Sequence, residues 1–261
     1  MHFTTDKQTI GDLAIFGKPG GDSIYNIFNK TYTQGGAQVL EEMFRKPLAS
    51  HVQINERIAV LRFFLDRRIA FPLQGSRFEE VERYLSDADP RSKLSNQGFT
   101  MSDFKMINSG VLALIEILHS LRDFLKGLAG AGAYQADVDA MLGLLASREL
   151  AIVFRSRAGE KLASGEVVER DNLFRFVHKG ELLRLLQHVY RMDAYISIAQ
   201  VAGRTGYVFP RALEPNVYRM EVKGLYHPLV PKAVPNSLVM TPESNIVFLT
   251  GANMAGKSTF M

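Results

Sequence analysis

Two apolar stripes with helical spacing constrain the fold of this chain more than any other feature. In both stripes, apolar residues recur at intervals of three or four positions. This spacing places side chains on one face of an α-helix, where they are expected to be buried. The stripes therefore predict two long helices, at about 104–126 and 173–203, packed antiparallel as levers. Their members are Ile107, Val111, Leu114, Leu118, Leu121 and Leu125 in the first, and Leu182, Leu186, Val189, Met192, Ile196 and Ala199 in the second.

Shorter helices are predicted around the first stripe. The stretches SIYNIFNKT, GGAQVLEEMFRK and HVQINERIAVLRFFLDRR are typical of helices, and Pro47 ends the second of them. A further helix is expected at 134–145, after a glycine-rich loop. Residues 151–154 are apolar and β-branched, which favours one strand there. After Pro210 the pattern becomes β-like, so a domain boundary is predicted near 210–217.

Composition narrows the functional classes. The chain has 261 residues, of which 46% are hydrophobic and 22% are charged, as in globular proteins. It has no cysteine, which excludes disulfides and thiolate metal sites and suits a reducing cytoplasm. The net charge of +4 permits a polyanionic partner but does not require one. No uninterrupted apolar run approaches about 18 residues, so no membrane partner is expected.

A phosphate-binding motif lies near the end of the sequence. Residues 251–258, GANMAGKS, fit the pattern G-x-x-x-x-G-K-[ST], and they follow an apolar stretch, IVFL, that is typical of a buried parallel strand. The two glycines allow backbone N–H groups to approach phosphates closely. Lys257 would reach the β- and γ-phosphates, and the hydroxyl of Ser258 would bind Mg²⁺. The motif therefore predicts a site for ATP and Mg²⁺.

The stretch TGANMAGKSTFM also resembles the ATPase loop of the MutS mismatch-recognition family. GLYHPLV and VPNSLVM resemble the elements that precede this loop in the family, and YRMDAYISIAQVAGRTGYVFP resembles the last helix of its core. Near the front, DKQTIGDLAIF, NKTYTQGGAQVLEEMFRKPL and INERIAVLRFF resemble the opening of the same core. The resemblance follows family order along nearly the whole chain, and it is patchy through residues 75–170.

This resemblance implies a mainly α fold. A helical core and lever domain (1–212) would be followed by the first strands and P-loop of an incomplete α/β ABC-type ATPase domain (213–261). Family members are DNA-associated ATPases that form homodimers through the ATPase domain and couple ATP to lever motion on DNA. The implied nucleotide site consists of Asn236, Gly251, Ala252, Asn253, Met254, Ala255, Gly256, Lys257, Ser258 and Thr259, with Ser258 contacting Mg²⁺.

The sequence departs from the family pattern at several points. No mismatch-binding domain with a Phe-x-Glu wedge precedes the core-like sequence, and the segment between the two long helices is short for a DNA clamp. Ala233 stands where family members often place an aromatic residue that stacks on adenine. The sequence contains neither the Walker B carboxylates nor the signature loop. We therefore expect a piece of a larger ATPase, with no catalytic residue of its own.

Two other interpretations stay open at this stage. The chain could be a non-enzymatic helical scaffold or dimerisation module with a P-loop that is not used. It could also come from another P-loop ATPase of DNA maintenance. A Walker B strand ending in Asp-Glu, followed by a Ser-x-Gly-rich signature, would favour the MutS-like interpretation.

We predict that the 261-residue chain does not turn over ATP at an enzymatic rate. Phosphoryl transfer needs a held Mg²⁺ and an oriented water, and Ser258 supplies neither completely. Phosphate release at saturating Mg-ATP is the measurement. Steady turnover that Lys257→Ala abolishes would contradict the prediction.

Overall fold

The fold is mainly α, as the sequence predicts. A computed structural model describes residues 6–13, 15–17, 21–86, 100–128, 130–251 and 256. Within these ranges the chain forms nine α-helices, short 3₁₀ and π turns, and one pair of strands. The α-helices are α1 (Lys7–Asp12), α2 (Ile24–Phe28), α3 (Gln34–Arg45), α4 (His51–Asp66), α5 (Gly75–Ser86), α6 (Met101–Gly127), α7 (Gln135–Leu145), α8 (Ser164–Asn172) and α9 (Lys179–Thr205); the strands are β1 (Met220–Leu225) and β2 (Asn236–Met240).

The chain divides into two compact units. The first contains 1–28, 43–58 and 208–261, and the second contains 29–42 and 59–207. Helices α3 and α4 each begin in one unit and end in the other. The division places the segment from Val208 onward with parts of the N-terminal sequence. The predicted boundary between residues 212 and 213 stays a prediction.

Both apolar stripes lie in the core of the second unit. All six residues of the first stripe are buried on α6, and all six of the second are buried on α9. Helix α6 approaches α5, α7 and α8, whereas α9 approaches α7 and the π turn before it. The expectation that α6 and α9 pack mainly against each other is therefore wrong, because the main contacts of each are with other elements.

A buried ion pair interrupts the second predicted lever. Instead of one helix from residue 173, the chain forms a π turn at Leu173–Val177, and α9 begins at Lys179. Within this turn, Nε and Nη2 of Arg175 donate to the two carboxylate oxygens of Asp171 at 2.6 and 2.7 Å. The hydroxyl of Tyr84 on α5 donates to Asp171 at 2.9 Å, and burial raises the pKa of Tyr84 well above its usual range. The wider turn is the local geometry that accompanies this inward-facing pair.

The predicted strand at 151–154 is also wrong. Ala151–Arg155 forms a 3₁₀ turn in which the amide of Val153 donates to the carbonyl of Leu150 at 3.0 Å. Both Leu150 and Val153 are buried, and their spacing of three residues puts them on the same side of a 3₁₀ turn. Apolar composition identified a buried segment but could not distinguish a turn from a strand.

The start of α3 is held by two side chains of α9. Asp193 is fully buried and accepts hydrogen bonds from the amides of Tyr32 and Thr33 and from the hydroxyl of Thr33. The hydroxyl of Thr33 in turn accepts from the amide of Gly36, which caps α3. One turn further along α9, Ser197 accepts from the amide of Lys30 at 2.8 Å. Burial raises the pKa of Asp193 above that of an ordinary carboxyl, although the hydrogen bonds act in the opposite direction.

Two glycines make this close approach possible. A Cβ atom on Gly35 would lie 2.6 Å from the ring of Tyr190, and one on Gly36 would collide with the carboxylate of Asp193. Both obstacles are side chains of α9. The Gly-Gly pair of TYTQGGAQ therefore sets how closely the first turn of α3 packs against α9.

In the first unit, a double hydrogen bond fixes the chain after α9. The side-chain amide of Asn55 on α4 donates to the carbonyl of Ala212 at 2.9 Å and accepts from the amide of Ala212 at 3.0 Å. Phe16, Tyr25, Phe28 and Phe44 form an aromatic cluster in the same unit. This unit thus has packing contacts of its own ahead of the β-strands.

Helix α6 is long and apolar enough to cross a membrane by length and composition alone. Half of its most apolar window is buried inside the protein, and the buried side chains of α6 include all six of the predicted stripe. This burial is typical of the central helix of a globular core.

We expect Asp193→Ala to lower the free energy of unfolding by about 3 kcal/mol, because it leaves the buried amides of Tyr32 and Thr33 without an acceptor. Asp193→Asn keeps one acceptor oxygen and should cost less. Asp123→Ala is the matched control, since its side chain is 71% exposed, and it should change stability by less than about 0.5 kcal/mol. Urea unfolding followed by circular dichroism measures all three; equal costs at Asp193 and Asp123 would contradict the assignment.

Candidate nucleotide-binding site

The sequence elements before the P-loop form an antiparallel pair of strands. Met220 pairs with Met240, and Val222 pairs with Leu238. The register then shifts, so that Leu225 pairs with Asn236. Gly224 lies at this shift with a φ of 65°, a backbone conformation that favours glycine. The β-like pattern predicted after Pro210 is thus confirmed for these two strands.

The exposed side of β1 carries a local charge network. Glu221 accepts hydrogen bonds or ion-pair contacts from Arg219 at 2.8 Å and from Lys223 at 2.9 Å. The hydrogen bonds from these two cations lower the pKa of Glu221 to about 2. Because all three groups face solvent, the network keeps the carboxylate charged and adds little to stability.

Asn236, the predicted nucleotide neighbour, begins β2 and is exposed. Its side-chain amide donates to the carbonyl of Val234 at 3.1 Å. That bond occupies one of its two amide hydrogens and leaves the side-chain oxygen available as an acceptor. His227, in the loop after β1, accepts from the amide of Leu229 at 3.3 Å. This contact gives His227 a local, structural role in the loop.

The apolar stretch before the P-loop is not a buried strand in this structure. Ile246, Val247, Phe248 and Leu249 are 74%, 50%, 87% and 39% exposed, and residues 245–250 have no regular secondary structure. A parallel strand is stable when strands on its sides and helices on its faces cover it. The sheet in the described part of the chain consists of β1 and β2, and it provides no such cover.

The structure describes two residues of the P-loop itself, Gly251 and Gly256. Gly256 has a φ of 85°, so the second glycine of the motif adopts a conformation that L-residues rarely take. The other predicted site residues lie outside the described residues: Ala252, Asn253, Met254, Ala255, Lys257, Ser258 and Thr259. Their assignment to phosphates and Mg²⁺ therefore rests on the sequence motif.

Metal binding by protein side chains alone has no support elsewhere in the described ranges. No group of three or more histidine and acidic side chains within them could hold a metal ion. The Mg²⁺ predicted here would instead be bound through nucleotide phosphates and the hydroxyl of Ser258.

Comparison with known proteins shows similarity to MutS. The chain is 22% identical to the DNA mismatch repair protein MutS of Thermotoga sp. (strain RQ2), in an alignment that covers 98% of the chain and 44% of that protein. It is 44% identical over 73 residues to MutS of Thermus aquaticus and 42% identical over 79 residues to MutS of Persephonella marina. These two matches cover 27% and 29% of the chain. No family model matches the chain.

A mainly helical protein with an antiparallel strand pair and a P-loop sequence is thus MutS-like along almost its whole length. The resemblance inferred from the motifs is confirmed, and the relatives are DNA mismatch repair proteins by name. The chain spans less than half the length of these curated relatives.

The alignment also shows that the chain is shorter than the Thermotoga protein over the matched region. It extends over 350 positions, whereas the chain has 261 residues, so the Thermotoga protein has additional residues inside the matched region.

We predict that the 261-residue chain does not bind Mg-ATP with a dissociation constant below about 100 µM. Residues 246–249 are exposed, and ordering each of them would cost about 1–2 kcal/mol before a phosphate contact is gained. Isothermal titration calorimetry is the measurement. Micromolar binding that is lost in Lys257→Ala would show that the loop is already in its binding conformation.

Proposed function

We propose that this chain is the lever-bearing region and the start of the motor of a MutS-like, DNA-associated ATPase. One observation carries the proposal: GANMAGKS follows an apolar stretch in a chain that is similar to MutS over 98% of its length. A P-loop match is far more informative in this context than in isolation.

The proposed site uses ATP and Mg²⁺. Backbone amides of residues 251–256 would surround the phosphates, Lys257 would contact the β- and γ-phosphates, and Ser258 would bind Mg²⁺. Asn236 has an exposed side-chain oxygen that is free to accept from a nucleotide. Hydrolysis needs acidic groups that orient water and hold the metal, which we propose come from further sequence of the ATPase domain.

The packing of the chain suggests how a nucleotide could influence the levers. Helix α9 ends at Thr205 with Gly206 in a left-handed cap, and six residues later Ala212 is fixed to Asn55 of α4. Between this anchor and the P-loop there is the pair of strands. We propose that movement of the P-loop region is transmitted along this covalent path. The proposed partners are DNA and a second copy of the protein, and the proposed location is the cytoplasm.

A scaffold function is the second candidate, and the exposed apolar residues after residue 207 favour it. Val208, Tyr218, Val234, Ile246 and Phe248 are each at least 74% exposed, which is unusual for large apolar side chains so close in sequence. Such a surface suits a permanent protein contact. The two candidates differ in whether Lys257 matters.

The decisive experiment joins this chain to the rest of an ATPase domain. In this chimera, residues 1–261 are fused to the sequence that comes after the P-loop in the Thermotoga MutS. If the proposed function holds, the chimera hydrolyses ATP, duplex DNA changes its rate, and Lys257→Ala lowers the rate at least about 100-fold by removing a phosphate contact.

Lys161→Ala is the matched control, because Lys161 is an exposed lysine far from the P-loop in sequence. It should leave ATP turnover unchanged. A folded chimera that dimerises but hydrolyses no ATP would favour the scaffold function, and DNA-independent hydrolysis would contradict the DNA-associated role.

A further inference from the structure

Two buried arginines in the second unit have very different surroundings. Arg175 is 1% exposed and is neutralised by both oxygens of Asp171. Arg170 is 5% exposed, but its acidic neighbour, Glu169, lies 3.7 Å from Nη1 and is itself 58% exposed. Nε of Arg170 is buried without a hydrogen-bond partner among the described residues. Arg170 therefore lacks the close counter-ion that Arg175 has.

This difference has an energetic consequence. A guanidinium group is always charged and has five N–H donors, so burying it without acceptors is costly. Arg175 avoids this cost through a bidentate pair. Nη2 of Arg170 makes a long contact of 3.4 Å with Oγ of Ser156, which is a neutral acceptor and does not balance the charge. The surroundings of Arg170 are thus suited to an anion.

A second arginine, Arg122 on α6, contacts the 3₁₀ turn that comes just before Ser156. The guanidinium of Arg122 lies over the ring of Phe154, with 4.1 Å between Cζ and the ring centroid. Its Nε is also buried and has no hydrogen-bond partner in the described part of the chain, while the side chain as a whole is 28% exposed. Asp123 lies 3.6 Å from this Nε, beyond hydrogen-bond distance, and is 71% exposed. Arg122 therefore has unused donors and reaches solvent.

The ring of His119 contacts both Arg122 and Ser156 through its two nitrogen atoms. Nε2 of His119 is 2.9 Å from the carbonyl of Ser156, and Nδ1 is 3.4 Å from Nη2 of Arg122. Arginine can only donate, so Nδ1 accepts and Nε2 carries the hydrogen that is donated to Ser156. We call His119, Arg122, Phe154, Ser156 and Arg170 the Ser156 cluster.

The cluster has a further donor and additional positive charge at its edge. The hydroxyl of Ser156 accepts from Arg170, which leaves its own hydrogen available to donate. Arg155 and Arg157, on either side of Ser156, are exposed. A tetrahedral oxyanion could thus meet a hydroxyl, two guanidinium groups and a positive rim.

We propose that the Ser156 cluster binds a phosphate group. Guanidinium forks and a hydroxyl match the oxygens of phosphate. The charge of Arg170, which the exposed Glu169 balances only from 3.7 Å, provides the attraction. The phosphate is either a free phosphoanion or part of a nucleic-acid backbone. The proposal uses no residue of the P-loop and is independent of the proposed ATPase function.

Nuclear magnetic resonance of the arginine side chains tests the proposal directly. The full chain is titrated with inorganic phosphate, with chloride at equal ionic strength as the reference. The Nε–H signal of Arg170 should shift saturably with phosphate and remain unchanged with chloride. No saturable shift up to about 50 mM phosphate would overturn the proposal.

Variants separate a specific site from general positive charge. Ser156→Ala and Arg122→Gln should each weaken phosphate binding about 10-fold, because each removes one hydrogen bond to a charged ligand. Arg184→Gln is the matched control, since Arg184 is 69% exposed on α9, and it should leave binding unchanged. Arg170→Gln should abolish binding if it folds; the two milder variants decide the matter if it does not. Equal weakening by Arg184→Gln would overturn the proposal.

A second arm identifies the source of the phosphate. Binding of a DNA duplex of about 20 base pairs is measured with the same variants and in competition with phosphate. Weaker DNA binding in Ser156→Ala and Arg122→Gln, but not in Arg184→Gln, assigns the site to a nucleic-acid backbone. Unchanged DNA binding together with weakened phosphate binding assigns it to a free phosphoanion.

Discussion

The anchoring of α3 by Asp193 is the interaction on which the helical unit most depends. A carboxylate in the middle of a long helix accepts backbone hydrogen bonds from residues about 160 positions earlier in the chain. Two amides that would otherwise be buried without partners are satisfied, and α3 is capped through Thr33. Because Gly35 and Gly36 permit the close approach, residues 29–42 and the last long helix, α9, pack together in the second unit.

A contrast between two buried arginines gives the second unit much of its character. Arg175 and Asp171 lie on adjacent turns of one helical run, so their ion pair is local in sequence. The hydroxyl of Tyr84 adds a hydrogen bond to Asp171. Replacing such pairs with apolar residues is often neutral for stability, which makes the local π geometry the more informative feature. Arg170 lies five residues before Arg175, and its buried Nε has no hydrogen-bond partner among the residues that the structure describes. Burial alone thus says little about what a charged side chain does.

The segment after α9 has a different physical character from the helical unit. It is fixed at Ala212 by Asn55, and beyond that point most of its large apolar side chains are more than a third exposed. Two strands bury few side chains, since each needs a packed face to do so. The alignment with the Thermotoga MutS includes this segment, since it covers 98% of the chain, and it covers 44% of that protein.

The sequence by itself determined the helical class, the two long amphipathic helices and the P-loop, because these depend on local spacing. The burial of Leu114 and Ile196 follows from their positions on the apolar faces of α6 and α9. Gly251 and Lys257 fit a phosphate loop through their positions alone. Only the tertiary structure decided that residues 151–155 form a 3₁₀ turn, that a π turn at Leu173–Val177 precedes α9, and that Arg170 lacks the close bidentate partner that Arg175 has. Those outcomes depend on contacts between residues far apart in the chain, such as Tyr84 with Asp171 and Asp193 with Thr33, and local periodicity carries no information about them.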